Sequence, residues 1–114
     1  MGNVVFDDFK KLEIRIGKIL SSEKIKGTDK LFKLEVDFGD SIGSGSAKRQ
    51  IVSGLAEVYS PEDLIGKQFP FLVNLVPRFI KGIESKGMIL AVDDNGKPVL
   101  MSPDKEVALG SEVK

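Results

Sequence analysis

Hydrophobic and polar residues alternate along several stretches of this 114-residue chain. Alternation with a period of two predicts half-buried β-strands, because successive side chains of a strand point to opposite faces. The pattern is clearest at residues 32–38, where apolar residues alternate with charged ones. Predicted strands one to five cover residues 12–16, 32–38, 49–53, 68–73 and 88–92, and a sixth short strand covers 98–101.

A short helix is predicted at residues 60–66, between strands three and four. Ser60 suits the N-cap, Pro61 suits the first helical position, and Gly66 suits the C-terminal stop. Leu64 and Ile65 are then placed to cover one end of the core.

The order of the elements predicts an OB-fold barrel, which has three strands, a helix and two further strands. After Gly17 the apolar phase shifts by one residue, which predicts a β-bulge that bends strand one. The expected fold class is all-β: a five-stranded OB-fold barrel with one short helix between strands three and four, plus N- and C-terminal extensions. This fold binds oligonucleotides or oligosaccharides on strands two and three and with two loops. Here those loops are residues 23–31 and 74–87.

The composition limits the function classes. Residues 1–114 suffice for a single domain, and the chain is 41% hydrophobic and 30% charged, as in globular proteins. It contains no cysteine and no histidine, which excludes disulfides, thiolate metal sites and the commonest general base. The acids Asp93, Asp94 and Asp104 lack metal-ligand spacing. We therefore expect no enzyme, no metal and no cofactor.

The location expected from the sequence is the cytoplasm. No apolar run approaches the roughly 20 residues needed to span a membrane, and no signal-peptide pattern opens the chain.

Basic residues concentrate in residues 74–88, although acids and bases balance at 17 each over the whole chain. Arg78, Lys81 and Lys86 stand against one acid, Glu84, and a proline and two glycines predict a loop. Cations interleaved with apolar side chains suit a polyanion whose backbone and bases are both contacted. The alternative is a solvated connector whose charges only keep it soluble.

Several short motifs resemble the family of structure-specific tRNA-binding domains. They are residues 8–9 and 12–19, Asp29-Lys30-Leu31, residues 50–55, residues 59–62 with Leu64, Asn74-Leu75 with Pro77-Arg78, and residues 82–85 with 87–88. This family includes the C-terminal domain of many methionyl-tRNA synthetases, free-standing tRNA-binding proteins and the cytokine-like domains of eukaryotic synthetase complexes. The resemblance implies an OB fold, binding of tRNA by its shape, often a homodimer, and no catalytic activity.

The resemblance also implies which residues contact tRNA. Lys30 lies in the first loop motif, and Arg78, Ser85 and Met88 lie in the second. The further candidates in the second loop are Lys81, Lys86 and Asn74.

Each main candidate has a structural alternative. Arg78 could be an ordinary surface cation, and Lys30 could pair with its neighbour Asp29. Ser85 could cap its loop, and Met88 could belong to the core by periodicity. Phe79 could stack on a base, although packing beneath the loop is the role we expect for it.

Two departures from the family pattern concern the partner. Ile25-Lys26 stands near the place of a usual His-Pro pair, and the loop at residues 39–47 is longer and richer in serine and glycine than in synthetase domains. That loop resembles a bacterial branch of export-associated chaperones. Two functions therefore stay open. One is a non-catalytic tRNA-binding module that assists an aminoacyl-tRNA synthetase, methionyl by resemblance, in cis or in trans. The other is a dimeric protein-binding chaperone that uses the face of strands two and three.

Strand four predicts a homodimer because it is apolar on both faces. Phe69, Phe71 and Val73 lie on one face and Leu72 on the other, and the barrel interior can take only one set. The terminal apolar residues that could complete the interface are Phe6, Phe9, Val107 and Leu109.

Overall fold

The computed structural model describes residues 2–40 and 47–114, so residues 41–46 of the serine- and glycine-rich loop lie outside the described part. The described part is mostly β. Its elements are α1 (Phe6–Phe9), β1 (Ile14–Lys24), β2 (Phe32–Asp37), β3 (Lys48–Ser53), a 3₁₀ turn (Pro61–Asp63), β4 (Gln68–Leu72), β5 (Arg78–Ile80), β6 (Ile83–Ser85), β7 (Met88–Ile89), β8 (Ala91–Asp94) and β9 (Lys97–Leu100). No helix in residues 2–40 and 47–114 is long and apolar enough to cross a membrane.

A curled five-stranded sheet forms the body of the protein, with the strand order β3-β2-β1-β4-β7 and antiparallel neighbours. The long strand β1 pairs with β4 through its first half and with β2 through its second half. One strand therefore spans both halves of the curled sheet. Two hairpins, β5–β6 and β8–β9, form separate two-stranded sheets.

Hydrogen bonds join β3 to the chain around β6 and β7. The Lys86 N–H donates to the Gln50 carbonyl at 2.9 Å, and the Val52 N–H donates to the Ser85 hydroxyl at 2.9 Å. The Gln50 side-chain amide donates to the Glu84 carbonyl at 2.8 Å. These bonds draw the two edges of the curled sheet together around the core.

The core forms where the sequence alternation predicts it. Phe32, Leu34 and Val36 of β2 are fully buried, and the charged residues between them point outward. The rings of Phe38 and Phe71 meet edge to face, with centroids 5.4 Å apart. Burying side chains of this size contributes about 1.5–3 kcal/mol each to stability.

The predicted position of the β-bulge in β1 is wrong. The register between β1 and β2 shifts between Ile19 and Ser21, not at Gly17. Gly17 is required for another reason: a Cβ there would lie 2.5 Å from Val36 Cγ1 and 2.7 Å from Phe38 Cε1. Its missing side chain makes room for β2 and the core.

The predicted helix at residues 60–66 is shorter than expected, because the structure has only a 3₁₀ turn at Pro61–Asp63. The Ser60 N–H donates to the Asp63 carboxylate at 2.9 Å, which caps the turn. Leu64 is buried as expected, whereas Ile65 is exposed.

Predicted strand five is divided in the structure. β7 (Met88–Ile89) pairs with β4, and β8 (Ala91–Asp94) pairs with β9 in a separate hairpin.

Strand β4 and the residue after it are covered within the single chain. The four residues assigned to a dimer interface, Phe69, Phe71, Leu72 and Val73, are all buried. The C-terminal segment also packs along β1, where the Ile16 N–H donates to the Ser111 carbonyl and the Val113 N–H donates to the Ile14 carbonyl, both at 2.9 Å. The assignment of those four residues to an interface therefore loses its basis, because they are buried within the single chain.

Candidate nucleic-acid interface

The segment predicted as an irregular loop folds in part into the β5–β6 hairpin. Arg78 pairs with Ser85, and Ile80 pairs with Ile83. The two turn residues, Lys81 and Gly82, have φ angles of 53° and 77°. Two left-handed residues are typical of a tight turn whose twist matches that of the strands. The hairpin therefore presents the basic residues on a defined backbone.

Ser85 secures this hairpin to the sheet. Its side chain is only 4% exposed. Its hydroxyl accepts a hydrogen bond from the Val52 N–H at 2.9 Å and lies 3.2 Å from the Gly87 carbonyl, to which it donates. The expectation that Ser85 lies on an exposed loop is wrong, because the hairpin folds back onto β3. The structure supports a positioning role for this residue.

The three basic candidates of the second loop are all exposed: Arg78, Lys81 and Lys86. Lys86 Nζ lies 3.9 Å from a carboxylate oxygen of Glu84. A pair this long between partly exposed groups contributes little energy and leaves the ammonium group able to meet an anion. The hairpin and the residue after it thus combine three cations with one acid, which suits contact with phosphates.

Met88 lies at a groove. It is 42% exposed, and its neighbour Ile89 is buried, so the periodicity that favoured a core role for Met88 had the wrong phase. Together with Gly54, Leu55 and the β8–β9 hairpin, Met88 lines a groove of about 450 Å³.

Lys30 lies on the loop beside that groove. Its carbonyl accepts a hydrogen bond from the Ala56 N–H at 3.0 Å, which fixes the loop next to Gly54 and Leu55, and its side chain is exposed. The structure thus places Arg78, Lys81 and Lys86 on the hairpin or directly after it, and Met88 in the groove, with Lys30 on the loop beside it.

Asn74 holds the N-terminal segment. Its side-chain oxygen accepts a hydrogen bond from the Glu13 N–H at 2.8 Å, and its amide nitrogen donates to the Lys11 carbonyl at 2.7 Å. Both polar ends of this side chain face the protein. Asn74 therefore joins the end of β4 to the chain that precedes β1.

The sequence analysis missed Arg49 and Gln50, whose side chains bind backbone carbonyls just before and within residues 74–88. The Arg49 guanidinium donates to the Val73 carbonyl, and the Gln50 amide donates to the Glu84 carbonyl. The sequence did hold a signal for this role, because Arg49 and Gln50 are adjacent long polar residues at the start of a predicted strand. Successive side chains of a strand point to opposite faces, so the two residues could reach different neighbours.

Phe79 also departs from expectation. Packing beneath the loop was expected, but the ring is 73% exposed. Phe79 pairs with Glu84, and this pair points to the face of the hairpin opposite to that of Ser85.

A family model and curated relatives match nearly the whole chain. A family model described as a putative tRNA binding domain matches residues 14–112. The chain is 49% identical over 111 residues to a methionine–tRNA ligase of Methanothrix thermoacetophila and 50% identical over 110 residues to that of Archaeoglobus fulgidus. These alignments cover 97% and 96% of the chain, which spans 16% of the length of each relative.

Two solved structures resemble this one over its whole length. A MetRS-related protein from Pyrococcus horikoshii superposes with a TM-score of 0.90 at 40% identity, and the match covers all of both chains. The chaperone CsaA of Bacillus anthracis superposes with a TM-score of 0.86 at 31% identity, covering 99% of this chain and 100% of that one.

Proposed function

The chain belongs to the putative tRNA binding domain family, and from this membership we propose that it is a non-catalytic module that recognises tRNA by its shape. In this proposal it assists an aminoacyl-tRNA synthetase of methionyl specificity, in cis or in trans. The similarity to methionine–tRNA ligases over nearly the whole chain supports the choice of synthetase. A cytoplasmic location fits this role.

The observation that supports tRNA binding most directly is the anchored basic hairpin. Arg78, Lys81 and Lys86 extend into solvent from a backbone that Ser85 and Gln50 hold against β3. Phosphate contacts position a protein on RNA without reading its sequence. Cations on a firm scaffold can therefore respond to the spacing of phosphates, which is a property of RNA shape.

The architecture supports an OB-fold barrel as the scaffold. The strand order β3-β2-β1-β4-β7, the turn between β3 and β4, and the hydrogen bonds that link β3 to the β6–β7 region are all features of that fold. The basic hairpin then occupies the loop after the fourth barrel strand, one of the two loops with which OB folds bind ligands.

Titration with tRNA tests the proposal. The intact protein is mixed with total tRNA and with a fully paired RNA duplex of similar length, and binding is followed by filter retention at several salt concentrations. We expect tighter binding of tRNA than of the duplex, because only the tRNA has the folded shape. Failure to bind any tRNA at low salt, where phosphate contacts are strongest, would overturn the proposal.

The similarity to CsaA favours a second candidate function, that of a dimeric protein-binding chaperone associated with export. The face of β2 and β3 assigned to that role presents polar residues such as Lys33 and Glu35. Binding of an unfolded polypeptide with no binding of tRNA would select this function.

We also infer a homodimer that forms through the chain ends. A cluster of exposed apolar side chains that line one shallow pocket, here called the terminal patch, consists of Phe6, Phe9, Leu12 and Val113. An exposed apolar cluster of this kind is typical of an association surface.

Sedimentation of the protein at tens of micromolar tests this inference. We expect a dimer, and we expect Phe6→Glu to convert it to a monomer, because a charge on the terminal patch opposes its burial. The exposed residue Val76, which lies outside the patch, provides the control Val76→Glu, which should leave the dimer intact. A monomeric native protein would contradict the inference.

A further inference from the structure

Phe79 is an aromatic ring held in solvent on the outer side of the basic hairpin. In an antiparallel pair, directly opposed residues share a face and the next pair faces the other way. Arg78 opposes Ser85, and the next pair is Phe79 opposite Glu84. Since the Ser85 hydroxyl points to β3, the Phe79 ring points away from the sheet, in agreement with its 73% exposure.

The backbone that presents this ring is fixed. The carbonyl of Glu84 accepts the Gln50 side-chain amide at 2.8 Å, and the N–H of Lys86 donates to the Gln50 carbonyl at 2.9 Å. The hairpin closes through the two-residue turn at Lys81 and Gly82. A planar side chain on such a fixed backbone loses little conformational entropy when a ligand packs on it.

The charges around the ring indicate what kind of ligand fits. Lys81 lies at the turn two residues beyond Phe79, and Lys86 lies two residues beyond Glu84, which shares the face of the ring. By the same alternation Arg78 lies on the face of Ser85, opposite to the ring. The acid Glu84 has Lys86 as a neighbour at 3.9 Å. An apolar protein segment would gain nothing from these two lysines. A nucleic acid supplies phosphates for the cations and flat bases for the ring.

We propose that Phe79 stacks on an unpaired base of the bound RNA while Lys81 and Lys86 contact the flanking phosphates. This proposal rests on the tRNA-binding function proposed above and adds a base contact to it. It assigns the hairpin a preference for RNA that displays an unstacked base, because paired bases within a helix do not expose their faces.

Substitution of Phe79 tests the base contact. Base stacking on an aromatic side chain implies that Phe79→Ala weakens tRNA binding roughly 5- to 140-fold. The salt dependence should stay unchanged, since no charge is removed. Phe79→Tyr, which keeps the ring, should bind as the native protein does. Ile65, which is 48% exposed just before β4 and outside the terminal patch, provides the control Ile65→Ala, and that variant should retain affinity.

A tryptophan at this position reports stacking directly, because the chain contains no tryptophan. In Phe79→Trp, tRNA should quench the fluorescence strongly, and a fully paired RNA duplex should quench it much less. The control variant Ile65→Trp should respond to neither RNA.

The outcomes separate the two proposals. If the native protein binds tRNA and Phe79→Ala binds it equally well, the base contact is refuted and the tRNA-binding function stands. Equal quenching of Phe79→Trp by tRNA and by the duplex also refutes the base contact. If the native protein binds no tRNA, the proposed function itself fails. A response of Phe79→Trp to unfolded polypeptide but not to RNA would assign the ring to a protein partner.

Discussion

The hydroxyl of Ser85 accepts a hydrogen bond from the backbone N–H of Val52 at 2.9 Å, across 33 positions of the chain. Val52 is in the edge strand β3, and its N–H would be buried without a partner if this hydroxyl were absent. The Ser85 side chain thus accepts the hydrogen bond that a backbone carbonyl of a neighbouring strand would otherwise accept, at the place where the two edges of the sheet meet. The basic hairpin depends on this contact, because Ser85 is its last residue.

We therefore predict that Ser85→Ala destabilises the protein. Leaving the buried Val52 N–H unsatisfied costs about 1–3 kcal/mol, measurable as a lower midpoint in urea unfolding. Binding of tRNA should weaken only as far as the hairpin loosens.

Ser22 provides the matched control. It is also buried, but its hydroxyl has no hydrogen-bond partner within the described residues. Ser22→Ala should leave stability unchanged or raise it, because removing an unpaired polar atom removes its desolvation cost. Equal stability losses in the two variants would contradict the assigned role of Ser85.

Asn74→Ala should release the N-terminal segment. The substitution removes the acceptor for the Glu13 N–H and the donor to the Lys11 carbonyl. Two lost hydrogen bonds at a partly exposed site cost about 1–2 kcal/mol. Hydrogen exchange at the Glu13 amide should speed up, whereas the affinity for tRNA at a fixed salt concentration should change little. A large loss of tRNA affinity with unchanged exchange at Glu13 would instead make Asn74 a direct contact.

The parts of the fold that depend on local patterns were predictable from sequence. The alternation in β2 and the cap at Ser60 follow from neighbouring residues alone. The bulge was misplaced because the need for glycine at position 17 comes from Val36 in β2 and from Phe38 just after that strand. Local sequence does not contain that contact.

The candidate site was predictable in its charges and not in its geometry. Arg78, Lys81 and Lys86 were identified by composition, and they do lie together. The burial of Ser85 and the exposure of Phe79 depend on how the hairpin folds back onto β3. The Lys81-Gly82 turn was the local signal for a hairpin, but the glycines of the segment were interpreted as marks of irregular structure.

Gly17→Ala should destabilise the protein by about 1–3 kcal/mol, the usual cost of overpacking a core. The added methyl group would lie 2.5 Å from Val36 Cγ1, so the packing against β2 must shift. Gly54 offers a matched control, because a Cβ there would have its nearest neighbour at 4.0 Å. Thermal unfolding of both variants measures the difference. Equal unfolding midpoints for the native protein and Gly17→Ala would contradict the tight packing.

Arg78→Ala should reduce the salt dependence of tRNA binding. Each phosphate contact that is lost makes the slope of log affinity against log salt shallower by about 0.7–0.9. Because every tRNA has the same backbone, the affinity should fall by similar factors for different tRNAs. Lys30→Ala should act in the same direction more weakly, since Lys24 and Lys26 remain nearby in sequence.

Lys67 is the control for these measurements. It is exposed and directly precedes β4, at the opposite end of that strand from the basic hairpin. Lys67→Ala removes the same unit of charge from the protein, so a change seen only in Arg78→Ala must come from position and not from net charge. If both variants lower the slope equally, tRNA is held by diffuse attraction. If neither variant lowers the slope in a folded protein that binds tRNA, the hairpin is only a connector, and other surface residues contact the phosphates.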